Sequence, residues 1–342
     1  MKTPYPWFGG KTLVADIVWE RFGDVPNYVE PFFGGGAVLL NRPAWHTGKV
    51  ETVNDINAWL CNFWRAVNAD PDAVAHYASD PVNEVDLHAR GDWLFYRPDA
   101  LEFVERMKAD PEYYDVKSAG WWVWGQCSWI GGGWGREEKR TDVWRQLPHL
   151  GDAGQGVSRK LPHLGDAGQG VNRMIQNPEN LARGDDITDT TRKAAILQYM
   201  LELCKRTACV RVCCGDWARV TTPAVTTNCG LTGMFLDPPY ASTDRDVNVY
   251  GDNDSTKIAH DVREYAIAHG HEMRIALCCY EGEHDMPDDW DCYAWKANGG
   301  YSRNDGRGLE NRHRERIYFS PACLQVDLFS ETQNTTNERE TE

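Results

Sequence analysis

Tyr28-Val29-Glu30-Pro31-Phe32-Phe33-Gly34-Gly35-Gly36-Ala37-Val38-Leu39-Leu40 is the stretch whose reading decides the fold. A short apolar run meets a proline, then three consecutive glycines, then a second apolar run, which is the pattern of a strand, a tight turn and a helix. The glycines are not spaced Gly-x-Gly-x-x-Gly, so the turn is not the fingerprint of a dinucleotide oxidoreductase. A second strand at Val50 to Val53 runs into Asn54-Asp55-Ile56-Asn57. Asp55 thereby falls about 20 residues past the glycines, where nucleotide-binding α/β folds place a carboxylate on ribose hydroxyls. It is equally suited to cap the helix that carries Trp59, Leu60, Phe63 and Trp64. The class is α/β.

Upstream, Pro6-Trp7-Phe8-Gly9-Gly10-Lys11 sets aromatics, two glycines and a cation before the helical pattern Leu13, Val14, Ile17, Val18. A helix start of this kind suits a ligand carrying a carboxylate. Downstream, a helix is expected from Asp189 or Thr190 to about Arg206, then a strand Cys209 to Cys214 that ends in Gly215-Asp216-Trp217. An acid and an aromatic at a strand end can hydrogen-bond and stack on an adenine ring. The run Gly233-Met234-Phe235-Leu236 reads as a buried strand, and it delivers Asp237-Pro238-Pro239-Tyr240 at its end. Both prolines hold φ near about −65° and lack an N–H, so the turn is stiff and its carbonyls are hard to satisfy locally. Asp237 and the Pro238 carbonyl can each accept a hydrogen from an exocyclic amine, with Tyr240 stacking on the planar ring that bears it. A helix from about Lys257 to Ala268 and strands at Arg274 to Cys279 and Ile317 to Phe319 complete the sheet elements.

The chain has 342 residues and a formal net charge of −15. That charge excludes indiscriminate phosphate binding, so any nucleic-acid face must be local. The best candidates lie between Tyr301 and Arg316, with Arg303, Arg307, Arg312 and Arg314. There is no long apolar run, and Met1-Lys2-Thr3-Pro4 leads directly into structured-looking sequence, so neither a membrane span nor a signal peptide is expected and the location is read as cytoplasmic. The eleven cysteines show no Cys-x2-Cys spacing and are read as reduced core thiols, with no metal site.

Between about 70 and 187 the pattern changes. An amphipathic segment at Leu101 to Met107 precedes the tryptophan-rich run Ala119 to Trp134, where Trp121, Trp124 and Trp129 are candidates for one helix face and for the core. Leu147-Pro148-His149-Leu150-Gly151-Asp152-Ala153-Gly154-Gln155-Gly156-Val157 then recurs as Leu161 to Val171, two loops that offer Gln155 and Gln169 to base edges or form passive surface. Residues 331–342 are polar and read as a disordered tail.

In this order the segments resemble the alpha-class amino-methyltransferases of DNA, most closely the Dam-type adenine methylases, particularly phage-encoded ones. The resemblance rests on Trp7-Phe8-Gly9-Gly10-Lys11, Glu30-Pro31-Phe32-Phe33-Gly34-Gly35-Gly36, Asn54-Asp55-Ile56-Asn57, Gly215-Asp216-Trp217 and Asp237-Pro238-Pro239-Tyr240. It implies a Rossmann-like methyltransferase sheet with helices on both faces and an inserted, mainly helical and loop-rich target-recognition region. The implied organisation is a catalytic domain in two parts, 1–84 and 188–330, an insertion at 85–187 and the tail. It also implies that Trp7, Phe8, Gly9, Lys11, Glu30, Pro31, Phe32, Gly34, Gly35, Gly36, Asp55, Asp216 and Trp217 hold S-adenosylmethionine, while Asp237, Pro238, Pro239 and Tyr240 act on a flipped adenine in double-stranded DNA. The expected protein is a monomeric site-specific adenine-N6 methyltransferase that protects or marks DNA, with any restriction partner unknown. Ser128-Trp129-Ile130-Gly131 departs from the Asn-Gly loop usual in that family, and the repeated loops have no counterpart in its better-known members. An N4-cytosine methyltransferase and a catalytically silent DNA-binding protein are the alternatives; Asp at position 237 favours adenine over the first.

Overall fold

The computed structural model describes residues 1–7, 9–45, 48–129, 134, 189–240, 254–296 and 313–325. Phe8, the repeated loops with Gln155 and Gln169, Arg303, Arg307, Arg312 and the tail lie outside the described residues.

The deciding stretch forms strand β1 (Asn27–Glu30), a turn through the glycines, and a short helix α2 (Ala37–Leu40). All four residues of β1 are buried, as a strand covered on both faces requires. It pairs in parallel with β2 (Val50–Asp55) on one side and with β4 (Thr232–Leu236) on the other. β3 (Val210–Cys214) adds in parallel beyond β2, and β5 (Arg274–Tyr280) beyond β4. β7 (Glu315–Phe319) is antiparallel to β5 and carries β6 (Asp291–Ala294) at the edge. The order is β3-β2-β1-β4-β5-β7-β6. The chain leaves β1 toward one edge and returns beside it from the other direction, so β1 and β4 flank a topological switch point. In open α/β sheets that is where ligands bind, outside the carboxyl ends of the strands. The sheet and its helices form a Rossmann-like methyltransferase fold.

Helix α1 (Ala15–Phe22) precedes β1, and its start lies beyond Lys11 with no side-chain cap. The expected ligand-receiving helix start is therefore replaced by a turn, with the Val14 N–H donating to the Lys11 carbonyl at 3.1 Å. β2 runs through Asp55, two residues further than its apolar run, because the ladder to β3 continues to Asp55↔Cys214. Helix α3 (Ala58–Ala69) is capped by Asn57, whose Oδ1 accepts from the Trp59 and Leu60 N–H groups. This corrects the alternative reading of Asp55 as the cap.

After α3 come α4 (Pro71–Ala78), α5 (Glu84–Tyr96), α6 (Ala100–Ala109) and α7 (Val116–Ser128). Asp70 caps α4 ahead of Pro71 at the first helical position, the placement at which a missing N–H costs nothing. Asn62 ties α7 to α3, donating to the Asp115 carbonyl at 2.9 Å and accepting the Asp115 N–H at 2.7 Å. Helix α8 (Asp189–Thr207) covers α3 and α4, and α9 (Asp254–His269) leads to β5. In α7 it is Trp122 and Trp124 that are fully buried, each 1 % exposed, while Trp121 is half-buried beneath Arg90 and Lys117. Helices α3, α4 and α5 all pack on α7, so helical spacing alone does not select its buried face. All eleven cysteines are free; six are buried, but Cys209 and Cys292 are exposed, which corrects the reading of all of them as core thiols.

Candidate active site

Trp7 lines one wall of the cleft at the switch point, with Tyr5 packed against it. The Tyr5 hydroxyl donates to the Gly34 carbonyl at 2.9 Å and accepts from Trp64 Nε1 at 3.0 Å, while its ring meets Trp122 edge-on at 4.9 Å. Trp7 lies over the glycine turn. Gly34 has φ +50°, and a Cβ there would sit 2.5 Å from Trp7 Nε1, so both the backbone conformation and the indole require glycine.

The opposite wall is organised by Asn54 and Asp55. Asn54 Nδ2 donates to the carbonyls of Pro31 at 3.1 Å and Gly215 at 3.0 Å, which fixes the ends of β1 and β3 relative to one another. The Asp55 carboxylate accepts the Gly34 N–H at 3.0 Å and the Asn57 N–H at 2.9 Å. Burial raises its pKa, partly opposed by these hydrogen bonds. The Ile56 N–H is a third backbone donor to it, so of a carboxylate's roughly four acceptor sites about one remains for a ligand. Glu30 is buried at 2 % exposure and accepts the Tyr28 hydroxyl at 2.8 Å; burial pushes its carboxyl well above the usual carboxylate range. Asp216 is exposed and caps a short 3₁₀ turn through the Ala218 N–H, leaving Trp217 stacked near-parallel on Phe32 with centroids 6.2 Å apart.

The central feature is at the end of β4. Asp237 Oδ2 is 2.7 Å from Lys11 Nζ, which also donates to the Gly9 carbonyl at 2.8 Å. Lys11 is only 4 % exposed. Burial pulls its pKa down, and the facing Asp237, Cys278 and Glu315 more than offset this, so the ammonium stays above the ordinary lysine range. Its charge is thus directed at Asp237 in this structure rather than at a carboxylate-bearing ligand. The Tyr240 hydroxyl lies 3.1 Å from Asp237 Oδ1 and 2.8 Å from Glu315 Oε2, and its ring meets Tyr280 edge-on at 4.6 Å. With 3 % of its surface exposed, Tyr240 is packed into this network; the open stacking face anticipated for it is not presented here.

These residues line one cleft of about 870 Å³, from Trp7, Gly9 and Lys11 through Glu30 to Gly36, Asp55, Asp216 and Trp217, to Asp237, Pro238, Pro239 and Tyr240. Every described residue expected at a cofactor or catalytic position borders it. Arg314 does not line the cleft; its guanidinium lies 5.4 Å from the Tyr280 ring centroid. Sequence reasoning missed Tyr5, Asn54 and Glu315. Asn54 stood inside the quoted Asn54-Asp55-Ile56-Asn57 motif without a role, but Glu315 carried no local signal because its partner is 75 residues away.

The sheet order is that of the Rossmann-like methyltransferase fold. Residues 7–121 match the family model of the D12 class N6 adenine-specific DNA methyltransferases. The chain is also similar to the Type II methyltransferase M.MjaIII of Methanocaldococcus jannaschii, 32% identical over 84 residues, which are 23% of this chain and 29% of that protein. It is 34% identical over 67 residues to the DNA N-6-adenine-methyltransferase of Escherichia phage P1, covering 19% of this chain and 8% of that protein. With the DNA adenine methylase of Vibrio cholerae it shares 32% over 72 residues, 21% and 24% of the two chains. The chain thus matches less than a third of each relative's length. The resemblance read from the motifs stands, and the family match extends it through α4, α5 and α6 into α7.

Proposed function

We propose that the protein transfers a methyl group from S-adenosylmethionine to the N6 amine of a flipped adenine in double-stranded DNA. The observation that carries this reading is the convergence of Asp55, the glycine turn and the Asp237 motif on one cleft at the switch point.

The cleft suits the cofactor. Its volume falls within the range of about 300–1,000 Å³ usual for such ligands. Phe32 and Trp217 offer an aromatic platform for an adenine, and Asp55 keeps an acceptor site for a ribose hydroxyl beside a glycine turn that admits close backbone approach. When bound, S-adenosylmethionine supplies a methyl group made electrophilic by its sulfonium.

Asp237 Oδ2 and the Pro238 carbonyl accept the two hydrogens of the substrate amine, turning its lone pair out of conjugation with the ring. The carboxylate is then placed to receive the proton that the amine loses. For this the amine must take the place at Oδ2 that the Lys11 ammonium holds. Flipping costs a few kcal/mol, and aromatic stacking offsets about 1–3 kcal/mol of it, which requires Tyr240 or a neighbouring ring to become available.

Residues 85–187 serve in this reading as the target-recognition insertion, with Gln155 and Gln169 at base edges, and Arg303, Arg307, Arg312 and Arg314 contact phosphates. The protein acts as a monomer on cellular DNA, which it protects or marks. Sequencing genomic DNA from cells expressing the protein tests the reading. Modified adenines in a defined sequence context support it, and unmodified DNA together with intact cofactor binding overturns it.

A further inference from the structure

Lys11 is the one cation that borders the cleft among the described residues, and it is paired with Asp237 at 2.7 Å, so it does not face the carboxylate of a cofactor. The acidic side chains of the cleft stand at strand ends: Glu30 closes β1, Asp55 closes β2, Asp216 follows β3, Asp237 follows β4 and Glu315 opens β7. That side suits the ammonium and sulfonium of S-adenosylmethionine and disfavours its carboxylate, because like charges repel more strongly in a partly enclosed site than in water. The wall made by α7 and Trp134 is different in kind. α7 carries no acidic residue, and Trp122 and Gln126, four residues apart on one helix face, both border the cleft. Trp134 also borders it, at 5 % exposure. A Cβ at Gly125 would overlap Cη2 and Cζ3 of the Trp134 indole, so the six-membered ring abuts α7 and the pyrrole edge, with Nε1, lies on the side away from the helix. Phe95 meets the indole edge-on at 5.2 Å. Trp134 Nε1 is buried without a hydrogen-bond partner; of the indoles left so among the described residues, Trp121, Trp129, Trp134 and Trp295, it alone borders the cleft. A buried N–H in that condition calls for an acceptor that the chain itself does not supply.

Resting on the reading that this cleft binds S-adenosylmethionine, we propose that Trp134 Nε1 and the side-chain amide of Gln126 are the donors that receive the cofactor's carboxylate. An indole N–H offers one proton and a primary amide two, which together match most of the roughly four acceptor sites of a carboxylate. Hydrogen bonds to a charged acceptor are about twice as strong as those between neutral groups, so uncharged donors suffice. The arrangement sorts the cofactor by charge, its cationic groups toward the strand ends and its carboxylate toward α7. It also gives Gly125 a role, since any side chain there would displace the indole and its N–H. Two residues of the helical and following segment thereby join the cofactor site.

The test titrates the full-length wild type, Trp134→Phe and Gln126→Leu calorimetrically with S-adenosylmethionine and with decarboxylated S-adenosylmethionine, which keeps the amine and the sulfonium. The wild type should bind the intact cofactor at least about tenfold more tightly than the decarboxylated one. Trp134→Phe keeps a six-membered ring against Gly125 and removes only the N–H. It should weaken S-adenosylmethionine about tenfold to a hundredfold, the equivalent of one hydrogen bond to a charged group, and leave the decarboxylated compound within about threefold of the wild type. Gln126→Leu should shift the two ligands in the same unequal way, and it carries the comparison if Trp134→Phe does not fold. Equal affinity of the wild type for both compounds overturns the proposal without recourse to any variant. So does a wild-type preference that survives in both folded variants, or a variant that weakens both ligands alike. Failure of the underlying reading shows separately, as a wild type that binds neither compound.

Discussion

Lys11 and Asp237 face each other across 226 residues of sequence, at 2.7 Å, with Lys11 nearly inaccessible to water. This pair changes what a substitution at Asp237 measures. Asp237→Ala removes the carboxylate and also strands a buried ammonium, an event that costs about 3–5 kcal/mol of stability. Asp237→Asn preserves shape and is the cleaner probe. It should lower methyl transfer by at least about a hundredfold while cofactor affinity stays within a few-fold. Single-turnover transfer of labelled methyl groups beside a calorimetric titration would check both halves, and near-normal transfer would remove Asp237 from the chemistry. That Trp7, Gly9, Lys11, Glu30 to Gly36, Asp55 and Asp237 to Tyr240 border one cleft could be anticipated because each motif is local. What Lys11 and Tyr240 touch was not, since ion pairs and hydrogen bonds between distant segments leave no periodic or spacing signal. Glu315 shows this most clearly, lying in a segment read for its arginines alone.

At the scale of elements, the turn from β1 to α2 depends on how Trp7 lies over it. Gly34→Ala forces a side chain into the left-handed region and against the indole, and Asp55→Asn exchanges one acceptor oxygen for a donor facing a backbone N–H. Each should weaken S-adenosylmethionine binding by about tenfold or more, a loss near 1.4 kcal/mol, measured by titration of the folded variants. Unchanged affinity in both would place the cofactor elsewhere. A second element-level effect concerns the loop after β5. His284 is buried, and burial, His260 and Arg263 push its imidazole pKa down to about 4. Its unfolded value is higher, near about 6.5, so the unfolded chain binds the extra proton first and stability falls as pH drops through that window, by up to about 3 kcal/mol. Denaturation at pH 7.5 and pH 5 should show a smaller pH-dependent loss in His284→Leu than in the wild type, and equal losses would contradict this assignment. Helix spacing made α8 readable and a helix near α9 was also expected, whereas α4 and α5 went unread and the buried face of α7 was obscured by neighbours on several sides.

For the molecule as a whole, the segments before and after residues 135–188 are joined by a buried knot. Arg206 near the end of α8 makes two bonds to Glu51 of β2, at 2.8 and 2.9 Å, and Arg42 adds a third at 3.1 Å. Glu51→Gln leaves two buried guanidinium groups facing a neutral amide and should lower unfolding free energy in urea by about 3–5 kcal/mol. Because the knot lies away from the cleft, the folded fraction should bind cofactor as the wild type does. Loss of binding without loss of stability would mean that the knot shapes the site directly. Strands β1 to β5 were each readable as short apolar runs, whereas their order in the sheet, set by which strands pair, left no local signal. β6 was not readable, as its exposed pattern carries no such run. The proposed activity of this cleft is methylation of adenine at N6. The most direct measurement is nucleoside analysis of double-stranded DNA incubated with S-adenosylmethionine and either the wild type or Asp237→Asn. N6-methyladenine formed by the wild type and at least about a hundredfold less by the variant is the expected result; N4-methylcytosine, no methylated base, or equal yields from both proteins would contradict it.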